Sequence, residues 1–137
     1  MQKEYPDSSA VKGYYAPDLL AIIQWKSGNS DAALSTLEGA KQNDQISLTP
    51  YLRGLIHLKT GQGDMAIMDF GTSILQHRGA MALTNPVLIP MAQLQMARAY
   101  QAKGDMASSS TEYGKFLQMW NVNSGQEMVR EAKAASH

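Results

Sequence analysis

The chain has 137 residues, enough for one domain with a real core, and its twelve Lys and Arg are matched by twelve Asp and Glu, for a formal charge of zero. That balance excludes the basic footprint of a nucleic-acid or anionic-lipid binder, so neither partner is expected. With no cysteine there is no disulfide framework, thiol nucleophile or zinc ribbon, and the 44% of apolar residues includes neither a membrane-spanning run nor, in residues 1–15, the run of a signal peptide.

In chain order, Ser8 and Ser9 can cap a helix that enters Tyr14 and Tyr15 and bends at Pro17, predicted over about 8–27. Within it Leu19, Ile22 and Ile23 recur at i, i+3, i+4, the spacing of a single buried helical face. Gly28 ends it, and a second helix is expected over 30–42. Thr49 followed by Pro50 reads as an N-cap and first helical residue, opening a helix that carries Leu52, Leu55, Ile56 and Lys59 and stops at Gly61. A partner helix follows over 64–77, then an insertion between Gly79 and Pro90 containing two prolines. The next helix, 86–103, carries Leu94, Met96, Ala97 and Tyr100 and stops at Gly104. Helix 105–120, a linker at 121–125 and a polar helix at 126–135 with Met128 and Val129 as its apolar stripe complete the chain. Asp31, Asp64 and Asp105 lie at or near the starts of the second helices, where the dipole favours a carboxylate.

These elements repeat. Gly28, Gly61 and Gly104 each close a first helix; seven residues earlier stand Ala21, Gly54 and Ala97, and five and nine residues later stand Ala33 and Leu37, Ala66 and Phe70, Ser109 and Tyr113. The intervals between the glycines are 33 and 43 residues, the second lengthened by the insertion.

The stretches Tyr51-Leu52-Arg53-Gly54-Leu55 through Gly61, Ala66 with Phe70, and Met96-Ala97-Arg98-Ala99-Tyr100 through Gly104-Asp105 resemble tetratricopeptide (TPR) repeats, whose period is about 34 residues. More narrowly, Phe70 through Gly79, the insertion, Leu94 through Tyr100 and Tyr113 through Trp120 resemble the C-terminal TPR region of bacterial signalling proteins, either eukaryotic-like serine/threonine kinases or winged-helix regulators. The chain departs from that pattern at Ser109, where Ala is usual, and at Asn121 to Ser124. The resemblance implies an all-α right-handed TPR solenoid: a single domain over 1–137, with repeats at about 14–45, 47–80 and 86–120 and a capping helix at 125–135. It implies a noncatalytic protein- or peptide-binding scaffold or sensor, a fragment of a larger signalling protein, lying in the cytoplasm or outside it according to its parent. The rival readings are a self-association module that dimerises through the third repeat and C-terminal helix, and a regulatory appendage that touches its own kinase domain.

Asp69-Phe70-Gly71 and His77-Arg78-Gly79 imitate two kinase motifs, but their order is reversed, the catalytic Asp of the second is replaced by Gly, and no phosphate-binding loop precedes them. Phe70 is instead the large packing residue of its helix. His57, His77 and His137 are too scattered to ligate a metal together, and His57 reads as a packed structural histidine. Met68, Met96 and Met119 fall on apolar stripes and are expected to fill core. No carboxylate pair, Ser-His-Asp grouping or phosphate-binding loop stands out, so no enzyme and no cofactor is expected.

The resemblance also supplies groove positions on the first helices: Tyr15, Asp18, Ile22, Trp25 and Lys26; Leu48, Tyr51, Leu55, Leu58 and Lys59; Met91, Leu94, Arg98 and Gln101. Trp, Tyr and Arg are the commonest interface hot spots, which singles out Trp25, Tyr51 and Arg98. The Lys and Asn positions of the chaperone-type carboxylate clamp hold Asp18, Ile22, Leu52 and Gln95, so that clamp is not expected.

Overall fold

The computed structural model describes residues 16–46, 48–77, 87–120 and 127–136. Among them run seven α-helices: α1 (Ala16–Lys26), α2 (Ser30–Gly39), α3 (Leu48–Lys59), α4 (Gly63–His77), α5 (Leu88–Lys103), α6 (Met106–Met119) and α7 (Glu127–Ala135). No strand occurs among the described residues. The helices pair as α1/α2, α3/α4 and α5/α6, and each pair rests on the next, with α7 closing against α6. No described helix is long and apolar enough to cross a membrane.

The bend inside each pair is the same. Gly28, Gly61 and Gly104 have φ of 86°, 79° and 83°, the left-handed region that costs an L side chain strain. The glycine N–H donates to the carbonyl three residues back (Trp25, Leu58, Gln101), and the following N–H donates to the carbonyl five back (Gln24, His57, Tyr100). This is one Schellman ending made three times. Helices α2 and α6 then start on polar caps. Asn29 Oδ1 accepts from the Ala32 N–H at 3.1 Å, and Asp105 accepts from the Ser108 N–H at 3.1 Å and from its hydroxyl at 2.7 Å.

Three buried clusters hold the pairs together. Ala21, Ala33, Leu37, Leu52 and Ile56 form the first; Ala66, Phe70 and Ala99 the middle one; Leu94, Ala97, Tyr113, Phe116 and Ala132 the last. The recurrent small residues exist because second-helix side chains lie across them. A Cβ at Gly54 would stand 2.7–3.0 Å from three Phe70 ring carbons. Ser109, where the repeat pattern expects Ala, is buried and donates its hydroxyl to the Ala97 carbonyl at 2.9 Å, so the extra oxygen is satisfied.

Several expectations need correction. Thr49 is not an N-cap: α3 already begins at Leu48, and the buried Thr49 hydroxyl donates across to Asp18. Pro50 is therefore the third residue of the helix, still within the first turn, where the missing N–H has no partner to lose. The second helix stops at Gly39 instead of reaching residue 42, and a 3-10 turn, Lys41–Ile46, takes the chain to α3. Helix α5 starts at Leu88 and not at residue 86. Leu19 and Ile23, read as part of a buried face, are exposed, because no described residue lies over that side of α1. Pro17 is the second residue of α1 and so bends nothing within it; the expected helical stretch before residue 16 and the linker at 121–125 lie outside the described residues.

Candidate functional site

Residues at i, i+4 and i+7 share one side of a helix. That spacing aligns Asp18, Ile22 and Trp25 on α1, Tyr51, Leu55 and Leu58 on α3, and Leu94, Arg98 and Gln101 on α5. Helix α3 contacts both α1 and α5, which places the three stripes side by side. Thr49 Oγ1 of α3 lies 2.9 and 3.2 Å from the carboxylate oxygens of Asp18. Burial raises the Tyr51 hydroxyl above its ordinary pKa, while a hydrogen bond with Gln95 and the charge of Arg98, both on α5, pull it back.

Along these stripes Ile22, Trp25 and Leu48 are half-buried against the first cluster, Tyr51, Leu55 and Leu58 against the middle one, and Met91 against the last. Lys26, Lys59 and Gln101 are exposed. Two expected contacts are not surface at all. Asp18 is enclosed at the α1–α3 junction, where burial raises its carboxyl pKa, Thr49 lowers it and Asp44 raises it again. Leu94 is fully buried among Ala97, Tyr113 and Phe116, because α6 packs over that side of α5. Tyr15 lies outside the described residues.

Arg98 is half-buried but already engaged. Its Nε donates to Glu131 Oε1 at 2.9 Å and its Nη2 to Glu131 Oε2 at 2.6 Å, tying α5 to α7. The Tyr113 hydroxyl lies 2.8 Å from Glu131 and 3.0 Å from Gln101. The Arg98 bond, with help from Tyr113 and against a smaller burial effect, holds the Glu131 carboxyl below its ordinary pKa. Val129 and Ala132 of α7 are buried inward, while Glu127, Arg130 and Lys133 face outward.

The largest polar cluster escaped the sequence reading. Arg53 is buried; its Nε donates to Asp69 Oδ1 at 2.9 Å and its Nη1 and Nη2 to Asp44 at 2.8 and 3.0 Å. His57 Nδ1 lies 2.7 Å from the other Asp69 oxygen. Burial alone would depress the Arg53 guanidinium, but Asp44 and Asp69 outweigh it and hold it above its usual value. The Asp69-Phe70-Gly71 triplet is thus structural: its Asp neutralises a buried Arg and its Phe fills the middle core. The signal for the His57–Asp69 contact was present as a separation. Partners twelve residues apart meet across every bend, as in Thr36–Gln24, His57–Asp69, Ser109–Ala97 and Tyr113–Gln101. Arg53–Asp44 had no such signal, because the 3-10 turn that delivers Asp44 was not foreseen.

Among the methionines expected to fill core, Met96 packs against the middle cluster while Met68 and Met119 are exposed. The side chain of His77 and residues 78, 79 and 137 are outside the described set. Among the described residues no three His, Cys, Asp or Glu side chains gather as a metal site.

The chain is similar in structure to the N-terminal domain of stress-induced protein-1 (STI-1) from C. elegans, with a TM-score of 0.77 at 14% sequence identity over 90% of this chain and 94% of that one. No protein-family model matches the chain, and no curated protein matches it. The likeness shows the fold: an all-α helical repeat of the tetratricopeptide type.

Proposed function

We propose that the side of the molecule formed by the stripes of α1, α3 and α5 is a noncatalytic binding surface for a protein or peptide segment. Helical-repeat folds use the extended face of their first helices in this way, since stacking creates the core and the open face together. The observation that carries the reading is the row of half-buried Ile22, Trp25, Tyr51, Leu55 and Leu58, continuous over two helices and flanked by the exposed Lys26 and Lys59. An aromatic and aliphatic centre with a charged rim is the composition of a protein interface. Asp18 and Glu131, carboxylates on and beside these stripes, are engaged by Thr49 and by Arg98. On this reading the whole chain is one such domain, with repeats at about 14–45, 47–80 and 86–120, and belongs to a larger bacterial signalling protein. That last part is supported by the sequence resemblance around Phe70–Gly79 and Leu94–Tyr100, and the reading frame upstream of the coding sequence tests it.

The surface is tested by affinity capture with wild type and Trp25→Ala in parallel, with Lys26→Glu/Lys59→Glu as a second variant that touches no core. Partners recovered by the wild type should be depleted with both variants while the circular dichroism melt of the lysine variant stays unchanged. Equal recovery of every partner by all three proteins refutes the surface.

A further inference from the structure

Among the described residues the buried acidic side chains are Asp18, Asp69 and Glu112. Two of them have a cation. Asp69 accepts from Arg53 at 2.9 Å, and Glu112 accepts from Lys115 at 2.8 Å and from the Gln93 amide. Asp18, only 2% exposed, has no such partner among them. Its two oxygens lie 2.9 and 3.2 Å from a single hydroxyl, that of Thr49 on α3, and the charge that acts on it is another carboxylate, Asp44 of the 3-10 turn. One hydroxyl does not replace the hydration of an ionised carboxylate, so ionisation of Asp18 works against the contact between α1 and α3.

That contact lies at the end of the row. The α3/α4 pair is held between α1/α2 and α5/α6, and α5/α6 between α3/α4 and α7, whereas α1/α2 rests on α3 and carries Leu19, Leu20 and Ile23 exposed. Ala33 and Leu37 against Leu52 and Ile56 hold it in place. The turn Lys41–Ile46 belongs to the other side of the joint: it packs on α3 and α4, and two nitrogens of Arg53 hold Asp44 at 2.8 and 3.0 Å. A break in the joint therefore falls at Gly39, the exposed last residue of α2. Helices of 11 and 10 residues do not persist in water once their apolar side is uncovered.

We propose that Asp18 is a proton-operated latch on the first helix pair. With its carboxyl protonated, α1/α2 stays seated on α3; with it ionised, the pair leaves α3 and unravels as a unit up to Gly39 while the 3-10 turn and α3 to α6 stay folded. The sign follows from burial. Asp18 titrates near 3.8 when opened to water and higher when seated, so seating takes up a proton between those two values. Through that window the opened fraction grows by up to about tenfold per pH unit, and it is constant on either side. Opening takes Ile22 and Trp25 away from Tyr51, Leu55 and Leu58. Control of binding by this route rests on the reading of that face as a binding surface; the latch itself does not.

The test is native-state amide hydrogen exchange of the intact 137-residue protein between about pH 4 and pH 7, with each rate divided by the intrinsic rate at that pH. Protection of α1 and α2 should lie below that of α3 to α6 and should fall, relative to theirs, by about tenfold or more as pH rises. Asp18→Asn still accepts from Thr49 and cannot ionise. It should restore α1 and α2 at pH 7, remove their pH dependence and leave α5 and α6 as in the wild type, whereas Glu112→Gln should leave α1 and α2 unchanged. Equal protection of α1 to α6 in the wild type, changing together with pH, overturns the proposal. So does protection of α1 and α2 that is low at every pH and the same in Asp18→Asn. A shift of all helices alike in Asp18→Asn also overturns it, since the stack would then open only as a whole.

Discussion

Replacing Gly54 by Ala tests the packing of the middle pair at a single carbon. The new Cβ would lie 2.7, 2.8 and 3.0 Å from Phe70 Cε1, Cδ1 and Cζ, against a comfortable carbon–carbon separation of about 3.5–4.0 Å. The ring cannot step aside: Phe70 is fully buried, its centroid 5.8 Å from that of Tyr51, and it packs with Ala66 and Ala99. Relief therefore requires α3 and α4 to move apart by several tenths of an ångström, an overpacking cost of about 1–3 kcal/mol. Ala is a better helix former than Gly by about 1 kcal/mol, so the net loss should be up to about 2 kcal/mol. At Gly114, inside α6, a Cβ meets nothing within 4 Å, and Gly114→Ala should instead gain up to about 1 kcal/mol. Urea titration followed by circular dichroism at 222 nm would measure both. The two substitutions should differ in sign, and Phe70→Leu should suppress the loss caused by Gly54→Ala in a double-mutant cycle. If Gly54→Ala were as stabilising as Gly114→Ala, the contact between α3 and α4 described above would be wrong.

The remaining predictions concern charge. Arg53→Met should cost about 3–5 kcal/mol in the same titration, because it removes the guanidinium that neutralises the buried Asp69. The Asp18 carboxyl is raised above 3.8 by burial, so the folded state holds its proton to higher pH than the unfolded state does. The associated stability is full below pH 3.8 and is lost as pH rises through the folded value. Asp18→Asn, which still accepts from Thr49, should therefore melt higher than wild type at pH 7, and the difference should vanish below pH 3.8. Glu131 has the opposite sign: its contribution is present above pH 4.5 and is lost as pH falls through its lowered folded value. Glu131→Gln should cost about 0.5–1 kcal/mol at pH 7, discounted for the half-exposed pair, and its deficit relative to wild type should shrink in acid.

Much of the fold follows from local chemistry, and local chemistry is readable from sequence. Gly28, Gly61 and Gly104 announce left-handed endings because only glycine takes that backbone without strain, and the small residue seven positions earlier fixes which side of each first helix receives the second. The candidate face was legible to the extent that i, i+4 and i+7 spacing fixes direction: Trp25, Tyr51, Leu55 and Leu58 are half-buried where the repeat register puts them. Depth is another matter, since it depends on what the neighbouring helix lays over a residue. Leu94 vanished beneath α6, Asp18 was closed in with Thr49, and Arg98 was claimed by Glu131 of α7.

Sequence alone thus determined which stretches are helical, the glycine endings of the first helices and the order in which the helices pair, because each rests on backbone preferences and hydrophobic spacing within a few turns. Tertiary structure decided which polar groups are neutralised. Arg53 meets Asp44 only because a 3-10 turn ends α2 early, and a charge inside the stack must be matched by whatever oxygen the stacking delivers. It also decided which apolar residues remain uncovered. Periodicity reads Leu19 and Ile23 as buried, just as Leu52 and Ile56 are, yet burial needs a second surface, and spacing along one helix carries no information about whether that surface exists.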